Sequence, residues 1–434
     1  MIDKFIHERY NDGTTIPNQK RHKKYKMKRI VIETGSDFAQ NKGDEAYFAV
    51  MVAMFKERMG KVEITKFANN FEEIMQRYSV KAIYSGGSFL KRLKSLIATM
   101  QAILECDLYV WGGGQLLHDS TGIVSVLYRL ARPFIAKLFR KSVIAYAVGI
   151  GPLETKLGKL LARTVLNLFD VITVRDGLSK ELLRAVGVIK PPIHVTVDPA
   201  IALLPAKPER INEILTHSGL IHNEKPLIAV LPFGPAFRSS RSLIPTAFRA
   251  KHNIWPPGGE TKYKKHVLLM AEACDYMVTR LNANLVFIAM DTSITHGGDD
   301  KLAANIIHYM KHKDKTIIIR DYTPEEIGGI LSKMALVIGS RMHGLILASG
   351  MMVPVVGIGF SQKMRSFARI IAQEKYFINV EDITTVHDLT SLIDTAWFNR
   401  DQVREEIKAK IMDLRRMVKY NVSFVLNLLN ERKG

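Results

Sequence analysis

The chain has 434 residues, of which 47% are hydrophobic and 24% charged, and it carries a formal net charge of +20. That length exceeds what a single hydrophobic core usually serves, so an ordinary globular protein of two domains is expected. A basic excess of this size calls for an acidic partner: nucleic acid, an anionic membrane surface or a phosphorylated substrate.

Residues 1–28 read as a basic, solvated leader that ends within the run KRHKKYKMKR at 20–29. The opening MIDKFIHERYNDG lacks the basic-then-apolar order of a secretory signal. No segment offers the unbroken apolar run of a membrane span, because the nearest, 334–360, carries Arg341, His343 and Pro354. Cys106 and Cys274 lie far apart in apolar stretches with no CxxC and no metal-spaced histidine. They read as buried thiols of a reducing compartment, and a cytoplasmic protein is the expectation.

From residue 29 the chain alternates short apolar runs with helical patterns. RIVIETG (29–35) precedes a helix at 45–59, VEITKF precedes a helix at 71–78, and DLYVWGGG, SVIAYAVGIG, a helix at 156–168, VITVRD and IHVTVDPA follow. Residues 206–226 break the pattern and read as a linker. LIAVLPF (227–233) opens a second alternating set that runs through NLVFIAM, TIIIRDY and LVIGSR to PVVGIGF. The fold class is therefore α/β, with two Rossmann-like, doubly wound domains at 29–205 and 227–385 facing a cleft, and C-terminal helices over 386–434. A basic stretch at 234–266, rich in Pro and Gly, interrupts the second set and is read as an insertion over the cleft. The segment 125–142, SVLYRLARPFIAKLFRKS, is a basic amphipathic helix, either the solvated face of a domain helix or a surface for anionic lipid.

Chemistry is expected where strands end. In WGGGQLLHD (111–119), Gly113 and Gly114 let the backbone approach an anion, and a helix following them would aim its positive end at it. Tight helix–sheet packing accounts for the same glycines equally well. NKGD (41–44) forms a turn at a helix start, with Asp44 as its expected cap and Asn41 and Gly43 as cleft-lining residues.

The strongest signal is GSRMHG (339–344), which delivers Ser340, Arg341 and His343 to the start of an apolar helix. An unpaired charge there is costly unless it serves a ligand, and an internal ion pair is the weaker reading. Arg341 offers a planar fork for a carboxylate or phosphate, and His343 can exchange a proton near neutral pH. VRD (174–176) places Arg175 at another strand end, and VTVDPA places Asp198 before Pro199. MDTSITHGGDDK (290–301) holds Asp291, His296, Asp299 and Asp300, whose spacing does not support zinc, so no metal is assigned.

Taken in order, NKGD, the GGG strand end, VGIGP, VRD, DPA, SRMHG and VPVVGIGFSQK resemble the polysaccharide pyruvyltransferase family from residue 29 to about 380. The resemblance implies a glycosyltransferase-B-type pair of Rossmann-like domains, phosphoenolpyruvate as donor, a saccharide acceptor, free or lipid-linked, and no cofactor. It carries donor binding to Arg341 and, behind it, to Arg175, with Lys363, Gly113 and Gly114 as further donor contacts and His343 as the catalytic acid or base. The product is a pyruvate ketal on a surface-polysaccharide sugar. A cytoplasmic site with peripheral contact at an anionic membrane fits the charge; nucleic acid is the weaker choice, since no aromatic-interleaved basic stripe is present. A nucleotide-sugar glycosyltransferase of the same fold and a non-catalytic anion-binding protein remain open.

Overall fold

The computed structural model describes residues 27–35, 41–68, 71–84, 89–120, 122–219, 225–233, 252, 254–293, 298–360 and 362–431. Most of the basic leader, the stretch 234–251 of the interrupting segment, and His296 lie outside these described residues.

Two parallel sheets organise the chain. The first contains β1 (Lys28–Glu33), β2 (Val62–Ala68), β3 (Lys81–Tyr84), β4 (Leu108–Gly112), β5 (Gln115–Leu117), β6 (Ser142–Ile150), β7 (Val171–Val174) and β8 (Ile193–Val195). Their order is β3-β2-β1-β4-β6-β7-β8, with β5 beside β6. The second contains β9 (Leu227–Leu231), β10 (Asn284–Ile288), β11 (Thr316–Ile319), β12 (Leu336–Gly339), β13 (Val355–Gly359) and β14 (Phe377–Asn379), ordered β11-β10-β9-β12-β13-β14. Both orders are doubly wound. In each the direction of winding reverses beside the first strand, so a crevice opens at the carboxyl ends of β1 and β4, and again at those of β9 and β12.

The helices of the first half are α1 (Lys42–Met59), α2 (Phe71–Tyr78), α3 (Phe89–Glu105), α4 (Ile123–Leu138), α5 (Lys156–Leu166) and α6 (Gly177–Val186). α7 (Pro208–His217) follows, then α8 (Gly259–Arg280), α9 (Asp299–Tyr309), α10 (Pro324–Leu331), α11 (Met342–Gly350), α12 (Gln362–Ile370), α13 (Val386–Phe398) and α14 (Arg400–Glu431). Helices on both faces explain why β4, β6, β10 and β13 are buried at every position and read as unbroken apolar runs. α3, α4, α5 and α6 cover one face of the first sheet, contributing Ile103, Val126, Leu166 and Leu183 to one core. α1 and the end of α14 cover the other, where Phe48 and Val425 meet Ile30 and Ile32.

α14 links both halves. Its Ile407, Ile411 and Leu414 belong to the core around the second sheet, and its Val422 and Val425 to a core of the first. α7, inside the expected linker, places Ile211, Ile214 and Leu215 in the core of the second sheet.

Three local expectations need correction. QLL after the glycines is a strand rather than a helix, because Gly113 and Gly114 take φ of 107° and 56° and turn the chain so that Gln115–Leu117 pairs with β6. Asn41, not Asp44, caps α1, its side chain accepting from the Gly43 and Asp44 amides at 3.1 and 3.3 Å. Residues 259–266, read as part of a loop, form the opening turns of α8, which buries His266 and Val267.

Candidate active site

His343 lies in the first turn of α11, immediately after β12, and its imidazole is wedged between the two halves of the molecule. On one side Nε2 stands 3.5 Å from Asp198 Oδ2. On the other, Gly43 of α1 packs so closely that a Cβ there would lie 2.3 Å from His343 Nδ1. A Cβ at Gly114 would lie 3.7 Å from His343 Cε1 and 2.7 Å from Asp44 Oδ1. NKGD and the glycine turn, distant in sequence, therefore form the floor under one histidine. Gly113 contributes by letting β4 pass Thr34, where a Cβ would lie 2.9 Å from the Thr34 Cβ. For the glycines the packing reading is thus realised, and Gly114 also borders the histidine.

Asp198 organises the centre. Its Oδ1 accepts from the Ala200 amide at 3.1 Å and caps the short turn Pro199–Ala202. Its Oδ2 accepts from Arg175 Nη1 at 2.8 Å and faces His343. Burial alone would raise the Asp198 carboxyl, but the neighbouring His343 and Arg175 outweigh it and hold the group at about 2. It is therefore a fixed anion behind the imidazole.

Arg175 leaves the end of β7 with 5% of its side chain exposed. Gly149 makes room for it, since a Cβ there would lie 2.8 Å from Arg175 Nε. The neighbouring Asp176 is 3.9 Å from Arg175 Nε and is used chiefly as the cap of α6, accepting from the Ser179 amide at 2.7 Å.

A cavity between the halves is lined by Arg175, Asp176 and Asp198 from the first and by Met342, Lys363 and Phe367 from the second. Burial pushes the Lys363 ammonium down to about 7, Arg175 acts in the same direction, and Asp176 opposes. The field of Lys363 also reaches His118, beyond β5, whose imidazole is pushed down to about 4 by burial first and then by Lys363 and Arg129.

Arg341 sits apart from this cavity, with an internal partner. Nε and Nη2 meet Asp299 Oδ2 and Oδ1 at 2.7 and 2.6 Å, Asp291 lies 3.5 Å from Nη2, and the guanidinium covers the Phe233 ring at 4.4 Å. The Asp299 carboxyl is pushed up to about 6, by burial first, against the opposing pull of Arg341. The internal ion pair, ranked behind a ligand in the sequence, is thus present. Ser340 is buried, its amide donating to the Leu231 carbonyl at 3.0 Å, and Asn41 forms a bridge to Asp291 besides capping α1.

The structure brings His343, Arg175, Gly43, Gly114 and Lys363 to one interface and places Arg341 beside it. Sequence reasoning missed the organising role of Asp198 and the pairing of Asp299 with Arg341. The DPA motif marked the first position, but nothing in its own neighbourhood names a partner 145 residues on, as His343 is from Asp198.

Comparisons with known proteins bear on the family and the fold. A sequence model of the family described as polysaccharide pyruvyl transferase matches residues 41–362. The amylovoran biosynthesis protein AmsJ of Erwinia amylovora is 22% identical over 282 residues, 64% of this chain; the match spans 63% of that relative's length. Among solved structures, Anabaena Alr3699/HepE in complex with UDP and glucose has a TM-score of 0.58 at 12% identity, over 92% of this chain and 99% of that one. The UDP-GlcNAc 2-epimerase of Neisseria meningitidis bound to UDP-GlcNAc has a TM-score of 0.58 at 11% identity, over 92% of this chain and 100% of that one. At such identities the likeness is one of fold: two Rossmann-like units of glycosyltransferase-B type.

Proposed function

The chain belongs to the polysaccharide pyruvyl transferase family, and on that premise we propose that it transfers pyruvyl from phosphoenolpyruvate to a sugar as a ketal. The observation that supports this reading most is the Arg175–Asp198–His343 cluster beside the Lys363 cavity, which joins a proton-exchanging group to cations suited to an anionic donor. The setting proposed is exopolysaccharide biosynthesis, by analogy with the amylovoran relative, and the proposed location, from the sequence alone, is the cytoplasm.

The chemistry requires a proton at C3 of the enol, which becomes the methyl carbon, while a sugar hydroxyl adds to C2. Loss of phosphate and attack of a second hydroxyl then close the ketal, so that phosphoenolpyruvate and a diol give the ketal and inorganic phosphate. His343 is assigned the proton transfer, with ionised Asp198 stabilising its imidazolium. Arg175 and Lys363 hold the donor's carboxylate and phosphate, and Arg341, whose charge Asp299 and Asp291 already meet, is left the lesser role of a hydrogen-bond donor at the edge of the cleft. Gly113 lies behind Gly114 as part of the donor floor, and Asn41, Gly43 and Ser340 line the cleft.

The test follows phosphate release together with the mass of the sugar product, using phosphoenolpyruvate and a panel of saccharides. A pyruvyl-sized gain on an acceptor supports the proposal. Tight nucleotide-sugar binding with none for phosphoenolpyruvate would reject it in favour of a glycosyltransferase.

Two further outcomes are expected. Gly43→Ala puts a Cβ 2.5 Å from the His343 Cβ as well as against its ring, a clash that turning the imidazole cannot relieve, so kcat should fall by roughly 10²-fold and the melting temperature should drop with a loss of about 1–3 kcal/mol. Lys363 is charged below about 7 and loses its proton as pH rises through that value, so KM for phosphoenolpyruvate rises on the alkaline side. A Lys363→Met variant should show a higher KM at low pH and lack this dependence; an unchanged profile would remove Lys363 from donor binding.

A further inference from the structure

α4 and α5 begin at the carboxyl ends of β5 and β6, the same side of the sheet as the His343 cleft, and they pack side by side. Their outer faces are apolar where a solvated helix would be polar. Val124 is 74% exposed, Leu127 48% and Tyr128 54% on α4, and Leu157 is 50% and Leu160 58% exposed on α5. At 124, 127, 128 and at 157, 160 these positions recur with helical spacing, so each set forms one stripe. Five large apolar groups concentrated on the first two turns of two neighbouring helices form a patch rather than scattered surface hydrophobics.

The charge pattern identifies the occupant. Neither helix contains an Asp or Glu, and the nearest carboxylate ahead of α5 is Glu154. Arg132 and Lys137 turn inward to Glu33 and Asp170, which leaves Lys156, Lys159 and Arg163 exposed beside the apolar stripes. A second copy of the chain related by a two-fold axis would press these cations against an identical patch whose two helices hold no carboxylate to pair them, a repulsive arrangement. An anionic bilayer satisfies both features, since apolar side chains enter the acyl boundary while ammonium and guanidinium groups meet lipid phosphates.

We infer that the first two turns of α4 and α5 form a docking face for an anionic membrane surface, with the cleft opening beside it toward saccharides carried on lipid. Among the described residues no helix is long and apolar enough to cross a membrane, so the contact is peripheral. The docking face stands independently of the pyruvyl reaction; only the choice of a lipid-borne acceptor rests on that reading.

The experiment is flotation of the full chain with vesicles of phosphatidylcholine alone, or of phosphatidylcholine and phosphatidylglycerol in equal amounts. The protein should float with the anionic vesicles only. The triple variant Leu127→Ser, Leu157→Ser, Leu160→Ser should lose at least about tenfold in partitioning, and Lys156→Glu with Lys159→Glu should lose a comparable amount. Both variants should keep the melting temperature of the parent, because every changed side chain is exposed. Wild-type partitioning in the triple variant would move membrane contact elsewhere and overturn the assignment, as would absence of flotation by the parent. A parent dimer that the triple variant converts to monomer would give the face to a second copy instead.

Discussion

Replacing His343 by alanine is expected to lower kcat for acceptor-dependent phosphate release by roughly three orders of magnitude, within the range that a positioned acid or base supplies. Stability should fall as well, because the ring is wedged between the halves and its removal leaves a cavity beside Asp198. The imidazole is not the sole partner of any buried charge: Asp198 Oδ2 keeps its 2.8 Å contact with Arg175 Nη1 when the ring is removed, so no carboxylate is stranded. Donor affinity should also survive, because the cavity residues Arg175 and Lys363 are untouched. Rapid-mix measurement of phosphate release, with phosphoenolpyruvate binding by calorimetry, separates the two quantities. Turnover within about threefold of the parent would remove His343 from the proton step, since a true acid or base contributes far more than that.

Asp198→Asn should be damaging in two ways at once. The amide cannot neutralise Arg175, whose other carboxylate neighbour among the described residues, Asp176, lies at 3.9 Å. Breaking a buried pair by removing one partner costs about 3–5 kcal/mol, because the remaining charge is left without compensation. The imidazolium of His343 loses its counter-ion in the same step, so kcat should fall by roughly 10²-fold beyond any effect of partial unfolding.

The pH dependence separates these contributions. The folded Asp198 carboxyl lies at about 2, below its ordinary 3.8. Its stabilisation is therefore fully present above 3.8 and is lost as pH falls toward about 2. Denaturant midpoints measured on descending pH should fall less steeply for the Asn variant than for the parent. Parallel curves would mean that Asp198 is not held as an anion by its neighbours.

Much of the fold is legible because a doubly wound sheet is written locally. Buried parallel strands demand continuous apolar runs, and LYVWG, VVGIG and LIAVL supply them with no alternation to confuse the period. Of the short edge strands, β8 and β11 were legible as IHVTVDPA and TIIIRDY, whereas β3 and β14 were not. KAIY of β3 is buried on neither side completely, FIN of β14 has only three residues, and α3 follows β3 without a distinguishing break. QLL carries the same apolar residues as a helix turn, and only the positive φ of Gly113 and Gly114 directs it to β6.

The sequence by itself determined the two alternating sets, the strand ends at which function would gather, and the residue types able to move a proton and hold an anion. It did so because those signals depend on neighbours within a few positions. Which groups face one another was decided by the tertiary structure alone. Arg341 and His343 are two residues apart and were read as one pair, yet the direction of the α11 turn sends the first to Asp299 and the second to Asp198. An ion pair forms where burial makes an unpartnered charge too costly, and the available partner is set by how two separately wound sheets meet, which no local pattern records.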